Sequence, residues 1–404
     1  MTGSHLNSQR FRNVLLLLLA SGSYGALGGA KLAAQQTVFS ESSSLRLQTT
    51  EDHISDPGES TPRNASPGNK QDGGSFVIAP LPISSPALGS GLVPVLAYIF
   101  PLNKSDKTSP PSLSGAAGLV TDNGPRGFAL AGELYFKENT YRTTGAFVRG
   151  DLNYNLYGLG VGESQFKLPL NQTGQALFAE FLRRLSGRFF LGPRFLWGCS
   201  FITVRPSSAG TAPLPPDLGL HTTLTAVGFR LQRDTRPNRF YPTAGTLLDL
   251  TSDFFSQGLG SKYSFQSYKF TFNKYWTVAN QQVLAYNGFA CITGGEPPFY
   301  GNCIYGTNNQ LRGYVAGRYL DRYMVATQLE YRLALPKRFG VVGFGGLGEV
   351  MPGGNQPFRA NNFLPSGGGG IRFELSKKYH VNLRLDVAQG KDGHTWAMGV
   401  GEAF

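Results

Sequence analysis

Val381-Asn382-Leu383-Arg384-Leu385-Asp386-Val387 alternates apolar and polar residues without a break. In an extended chain successive side chains point to opposite faces, so the four apolar residues share one face and Asn382, Arg384 and Asp386 the other. On a helix the same residues would be scattered around the axis, and neither set would form a stripe. The pattern recurs upstream. Ile371, Phe373 and Leu375 enclose Arg372 and Glu374, while Val325, Leu329, Tyr331 and Leu333 alternate with Gln328, Glu330 and Arg332. Further back, Phe128, Leu130, Leu134 and Phe136 alternate with positions that include Glu133 and Lys137. Ala146, Val148, Leu152 and Tyr154 alternate with Arg149, Asp151 and Asn153. Period two persists from Ser75 to Phe404 with no helical stretch, which makes the chain all-β.

Alternation also suits a soluble sandwich, and the connections separate the two. Very short links fall near Asn139, Gly187, Ala279, Lys337 and Lys378, and longer ones near 155–172, 205–218, 294–321 and 351–363. Transmembrane barrels alternate short periplasmic turns with long external loops in this way. Strands are expected near 75–85, 90–101, 113–124, 126–138, 140–154, 173–186, 187–204, 219–233, 243–256, 263–277, 280–293, 322–335, 338–350, 364–376, 379–389 and 395–404. That is about sixteen strands in a closed antiparallel barrel, and an even count puts both ends in the periplasm. Pro80, Pro82 and Pro86 weaken the first strand. Phe128, Leu130, Val148, Leu383 and Leu385 are expected to face lipid.

Composition suits this reading. The 404 residues include 53 Gly, 29 Phe and 18 Tyr, as expected for tight turns and aromatic belts. Mean hydropathy is only −0.17, which a barrel produces because every second residue faces a polar interior. The net charge of +12 points to a basic, anion-favouring lumen. Arg10 and Arg12 precede the apolar run Val14–Ala20, and small residues follow through Ala34. Residues 1–34 therefore read as a secretory signal peptide. Residues 35–74, rich in Ser, Thr, Pro, Gly, Asn and Gln, read as a disordered periplasmic leader before a barrel at 75–404. Cys291 and Cys303 are a candidate disulfide in an oxidising compartment, which leaves Cys199 free. Phe404 ends the last alternating segment, after Trp396, Met398 and Val400, and resembles the carboxy-terminal signal of outer-membrane proteins. Glu402 interrupts that alternation.

Two motifs carry a family resemblance. Asp234-Thr-Arg236-Pro-Asn-Arg-Phe-Tyr-Pro242-Thr-Ala-Gly245 forms a turn between two alternating segments. Gln310-Leu311-Arg312-Gly313-Tyr314 is followed by Gly317-Arg318-Tyr319 and then by Gln328-Leu-Glu330-Tyr-Arg332. In this order they resemble the BamA/TamA family, the bacterial surface-antigen type of barrel. The resemblance implies that the Arg-Gly-Tyr loop folds back into the lumen, where Arg312 pairs with an inward acid, here Glu330. Gly313 would let the backbone approach the wall. The family's second acid stands in a Phe-x-Asp-x-Gly pattern; this chain reads Phe344-Gly345-Gly346-Leu347-Gly348, which leaves Glu349, Glu374 or Asp386 as substitutes. Assembly and secretion members carry periplasmic POTRA domains, and the stretch ahead of Ser75 is too short and polar for one, so client recognition would come from a periplasmic partner.

The functions implied are insertion or translocation of client chains through the seam between first and last strands, or alternatively a passive, plugged structural barrel. An enzyme is not expected: there is no Gly-x-Ser-x-Gly, no His-Glu-x-x-His and no paired-cysteine motif. His5, His53, His221, His380 and His394 are scattered. The expected partners are outer-membrane lipid and the assembly machinery that inserts the chain into the outer membrane of a Gram-negative bacterium. No metal, cofactor or nucleic acid is expected.

Overall fold

At one end of the molecule the chain reverses within a few residues, and the backbone takes left-handed dihedrals to do so. Glu138 and Asn139 (φ 55° and 60°), Gly187 (56°), Gln281 (62°), Lys337 (72°) and His380 (54°) mark five such reversals. Tight hairpins need these values because their twist must match that of the flanking strands. The strands they join run as far as 18 residues, from Lys167 to Arg184. The computed structural model describes residues 74–404 apart from 86–88, 123, 158–166, 205–219, 299–300, 306–309, 315–318 and 352–361. The expected signal segment and, save Gly74, the leader lie outside the described residues.

The strands are β1 (Ser75–Ser85), β2 (Gly89–Phe100), β3 (Ser112–Thr121), β4 (Arg126–Phe136), β5 (Tyr141–Tyr157), β6 (Lys167–Arg184), β7 (Phe189–Val204), β8 (Leu220–Asp234) and β9 (Gly245–Phe255). They continue with β10 (Phe265–Ala279), β11 (Gln282–Gly295), β12 (Cys303–Ile304), β13 (Leu320–Asp321), β14 (Tyr323–Ala334), β15 (Phe339–Met351), β16 (Leu364–Ser376), β17 (Val381–Gly390) and β18 (Gly393–Val400). β12 and β13 pair only with each other, inside the long connection from β11 to β14. The other sixteen form one antiparallel sheet in chain order, from β1 to β18.

The sheet is inside-out relative to a soluble core. Phe128 and Leu130 are 46% and 50% exposed, whereas Glu330 and Arg384 are fully buried. Charge is buried only where it is paired, so the polar face is a closed lumen and the apolar face meets hydrocarbon. Leu383 and Leu385 lie on the outer face as expected, opposite Phe373 and Ile371 of β16. Val148 does not. It pairs with Ala129, on the face that carries Glu133 and Arg142, so it lines the lumen while Phe147 and Arg149 point outward. The expectation failed because β5 has apolar residues on both faces and its phase is set at the turn, where Arg142 and Thr144 oppose Tyr135 and Glu133.

Prolines shape one end of the sheet. β1 runs unbroken through Pro80 and Pro82, and Pro80 lies directly opposite Pro94 of β2. The β2–β3 ladder skips Val93 and Pro94, and the Pro94 ring crowds Gly118 of β3. The Pro94 nitrogen thus faces β3, and by alternation the nitrogens of Pro80 and Pro82 face the free edge of β1. Neither removes a β1–β2 hydrogen bond, which is why the strand survives its prolines. At that free edge, however, two consecutive donors are missing. β1 and β18 occupy the two ends of the sheet and share no ladder. They meet through side chains instead: Val77, Ala79, Leu81, Val93 and Val95 from β1 and β2 form one apolar cluster with Val381, Val400, Leu383 and Met398. The last of these lie on the outer face of β17–β18, so the sheet closes by overlap rather than edge to edge.

The final strand is shorter than expected. β18 stops at Val400, and Gly401 adopts φ 84° and donates to Asn382 O at 2.6 Å. Residues 401–404 then leave the sheet for the lumen. The break in alternation at Glu402 has a physical cause: its carboxylate is drawn inward by arginines.

Candidate functional site in the lumen

β14, β16 and β17 present Glu330, Arg332, Arg372, Arg384 and Asp386 to the lumen. Arg372 and Arg384 are direct cross-strand partners, an arrangement that repels unless acids intervene. Asp386 intervenes, accepting from Arg372 Nη1 at 2.6 Å and Arg384 Nη1 at 3.2 Å. Gly370 leaves the space for this, since a Cβ there would lie 2.1 Å from Asp386 Oδ1. Glu330 accepts from Arg332 Nε at 2.6 Å.

Arg312 arrives from the long connection. The loop is tied to β11 by the Cys291–Cys303 disulfide, with Cα atoms 5.8 Å apart, while Cys199 is free. The Tyr305 hydroxyl donates to Val325 O and Glu349 O. Tyr314 donates to Pro365 O at 2.6 Å. Gly313 (φ 101°) lies against Gln389 and Gly390 of β17, where a Cβ would come within 3.1 Å of backbone atoms. Thus positioned, Arg312 Nη1 sits 2.6 Å from Glu330 Oε2 and 3.0 Å from Asp386 Oδ2. Its guanidinium lies 3.4 Å from the Phe344 ring centroid, and its Nε donates to Gln328 at 3.2 Å. Of the three candidate second acids, only Asp386 pairs with Arg312; Glu374 pairs with His380 at 2.9 Å. Gly317 and Arg318 lie outside the described residues.

The other motif reaches the same place from the short-turn end. Asp234 holds Arg236 through two bonds of 2.9 and 2.8 Å. Gly245 (φ 92°) closes the turn, where a Cβ would lie 2.6 Å from Thr235 O. Between them the chain crosses the lumen: Arg239 pairs with Glu133 of β4 at 2.9 Å, Asn238 donates to Tyr379 O, and Pro242 O accepts from Arg332 Nη1. The carboxy-terminal tail completes the cluster. Glu402 accepts from Arg372 Nε at 2.8 Å and Asn382 Nδ2 at 2.7 Å. Phe404 O accepts from Arg332 Nη2 at 2.9 Å, and the Phe404 ring lies within 5.8 Å of the Arg312 and Arg332 guanidiniums.

A sheet of sixteen strands, an inward arginine loop and a lumen-crossing turn make the comparison with known proteins specific. The model of the Omp85 superfamily domain matches residues 135–401. The chain belongs to the Omp85 superfamily. Among solved structures, this Omp85 barrel is similar to BamA from Haemophilus ducreyi lacking POTRA domains 1–3 (TM-score 0.51, 13% identity, covering 82% of this chain and 70% of that one). It is also similar to CdiB from Escherichia coli (TM-score 0.53, 10% identity, covering 81% and 62%). At such identities the likeness is one of fold. No curated relative matches the sequence.

Elsewhere in the Omp85 lumen, Arg230 binds Asp249 through two 2.7 Å bonds and Glu180 through a third, and Arg194 pairs with Asp253 at 3.0 Å. Among the described residues no group of His, Cys, Asp and Glu is placed to hold a metal ion. Glu330 and Asp386 were legible as inward positions, and Arg332, Arg372 and Arg384 shared that pattern. Glu402 was missed, its only signal being the broken alternation.

Proposed function

We propose that the chain is an outer-membrane insertion or translocation factor of a Gram-negative bacterium that works through its seam. One observation carries this reading: β1 and β18 meet without a ladder. Separating two paired strands in hydrocarbon would expose unsatisfied backbone groups at several kcal/mol each. Separating the lapped apolar residues of this seam exchanges side-chain contacts for lipid contacts, a much smaller change. Phe76 and Ile78, of the same parity as Pro80 and Pro82, keep donors at the free edge, so β1 retains a short stretch able to pair with another strand. Its own insertion would use the outer-membrane assembly machinery with Phe404 as a terminal signal, and client recognition would come from a periplasmic partner.

The test is reconstitution. The purified barrel in liposomes should accelerate the appearance of a heat-modifiable folded client barrel added in urea, relative to empty liposomes; equal rates would refute the reading. The second reading, a plugged structural barrel, draws on the loop, turn and tail that converge in the lumen. It predicts low conductance in planar bilayers and no acceleration.

A further inference from the structure

The arginine cluster contains four guanidiniums, Arg312, Arg332, Arg372 and Arg384, joined through three carboxylates, Glu330, Asp386 and Glu402. Two acids of the cluster, the Glu402 side chain and the Phe404 carboxylate beside Arg332, are borne by a tail outside the ladder. Arg312 Nη2 and Arg372 Nη2 are buried and make no hydrogen bond among the described residues. Beside Glu402 lies a cavity of about 580 Å³, bordered by Arg332, Arg372, Asn238 and, at the short-turn end, Lys337 and Arg338. The tail shows what this surface recognises. The Glu402 carboxylate is held by Arg372 and Asn382, a Phe404 carboxylate oxygen two residues later by Arg332, and the Phe404 ring lies beside two guanidinium groups.

We propose that the luminal arginine cluster is a binding site for an extended peptide with an acidic residue two positions before an aromatic, and that Gly401–Phe404 is its internal occupant. Withdrawing the tail leaves four cations facing two anions in a desolvated wall, so the tail departs only when another carboxylate replaces Glu402. Guanidinium pairs with carboxylate through charge-assisted bonds of fixed geometry, so the requirement is for the acid itself and not for a neutral isostere. The cavity provides room for a second chain to approach before the tail leaves. This site does not depend on the seam reading, because it concerns binding and not insertion.

The experiment uses the full chain in detergent micelles and a fluorescent peptide with the sequence of residues 395–404. The Glu402→Gln variant keeps Phe404 and should fold, as judged by its heat-modifiable band. It should bind the peptide at least tenfold more tightly than the unmodified chain, whose own tail competes. A peptide with Gln in place of its Glu should bind neither. Independently, a chain carrying Ala403→Cys and Cys199→Ser should react faster with a water-soluble maleimide when excess peptide is present. Equal binding to both chains, equal binding of the Gln peptide, or displacement of the peptide by inorganic phosphate at similar concentration would overturn the proposal. If Glu402→Gln does not fold, the labelling decides alone, and an unchanged rate overturns it.

Discussion

Arg312 and Glu330 offer the sharpest test of how the loop is held. Both are buried and lie 2.6 Å apart. Removing one member of a buried ion pair costs about 3–5 kcal/mol when the remaining charge is left unpaired. Here neither is left wholly unpaired, but the two deletions differ. In Arg312→Ala, Glu330 keeps Arg332 at 2.6 Å, and Asp386 keeps Arg372 and Arg384. Each acid thus keeps at least one arginine, so the expected cost is at the low end, about 2–3 kcal/mol. In Glu330→Ala, three guanidiniums, those of Arg312, Arg332 and Arg372, lose a shared carboxylate, and the cost should reach about 4–5 kcal/mol. The double variant should fall short of the sum by about 1–2 kcal/mol. Stability is read from the temperature or urea midpoint of the heat-modifiable band, and loop order from protease cleavage between β11 and β14. An additive pair, or Arg312→Ala costing more than Glu330→Ala, would refute the charge accounting.

Further predictions concern the loop, the wall and the periphery. Replacing Cys291 and Cys303 by Ser opens a 12-residue closure, worth about 3 kcal/mol in the chain-entropy view, and should raise loop cleavage while the barrel remains folded. Gly313→Ala, with φ 101° and no room beside β17, should cost about 1–3 kcal/mol and release the loop to the same degree as Arg312→Ala. Leu385→Arg should cost about 2–4 kcal/mol if it lies near mid-bilayer. Val148→Cys should react with a water-soluble reagent admitted to the lumen and resist a lipid-soluble one; the reverse would restore the lipid-facing assignment. Between β2 and β3, Asp106 accepts bonds from Thr108 N, Ser109 N, Ser109 Oγ and Glu138 N. Burial alone would raise its carboxyl, but the bonds from Ser109, Glu138 and Thr108 outweigh it and lower the pKa from 3.8 to about 2. A lowered pKa means the tie is complete above pH 4 and is lost as pH falls through about 2, which amide exchange at Glu138 would follow.

The alternation in Val381–Val387, with its recurrences upstream, was sufficient for strand type because a barrel lumen forces polarity onto every second residue, and the spacing of the connections supplied the number. It failed at Val148, where apolar residues occupy both faces and only the pairing at the Asn139 turn decides the phase. Pro80 and Pro82 read as interruptions because a sequence does not say which edge a nitrogen faces; the unpaired edge of β1 makes them compatible with a full strand. Parity sets Glu349 apart, opposite Val325, but could not separate Asp386 from Glu374, since that choice depends on which strand Gly313 abuts. The inward path of the tail was written in Glu402, but as an exception, and its partners Arg372 and Asn382 come from neighbouring strands.

If the seam between β1 and β18 is closed by side-chain packing and opens during function, locking it should abolish activity. A disulfide between Val77→Cys or Ala79→Cys and Val400→Cys, in a Cys199→Ser background, measures it most directly. The oxidised barrel should fold normally but no longer accelerate client folding in liposomes, and reduction should restore the rate. An oxidised, fully cross-linked barrel that works as fast as the reduced one would contradict it.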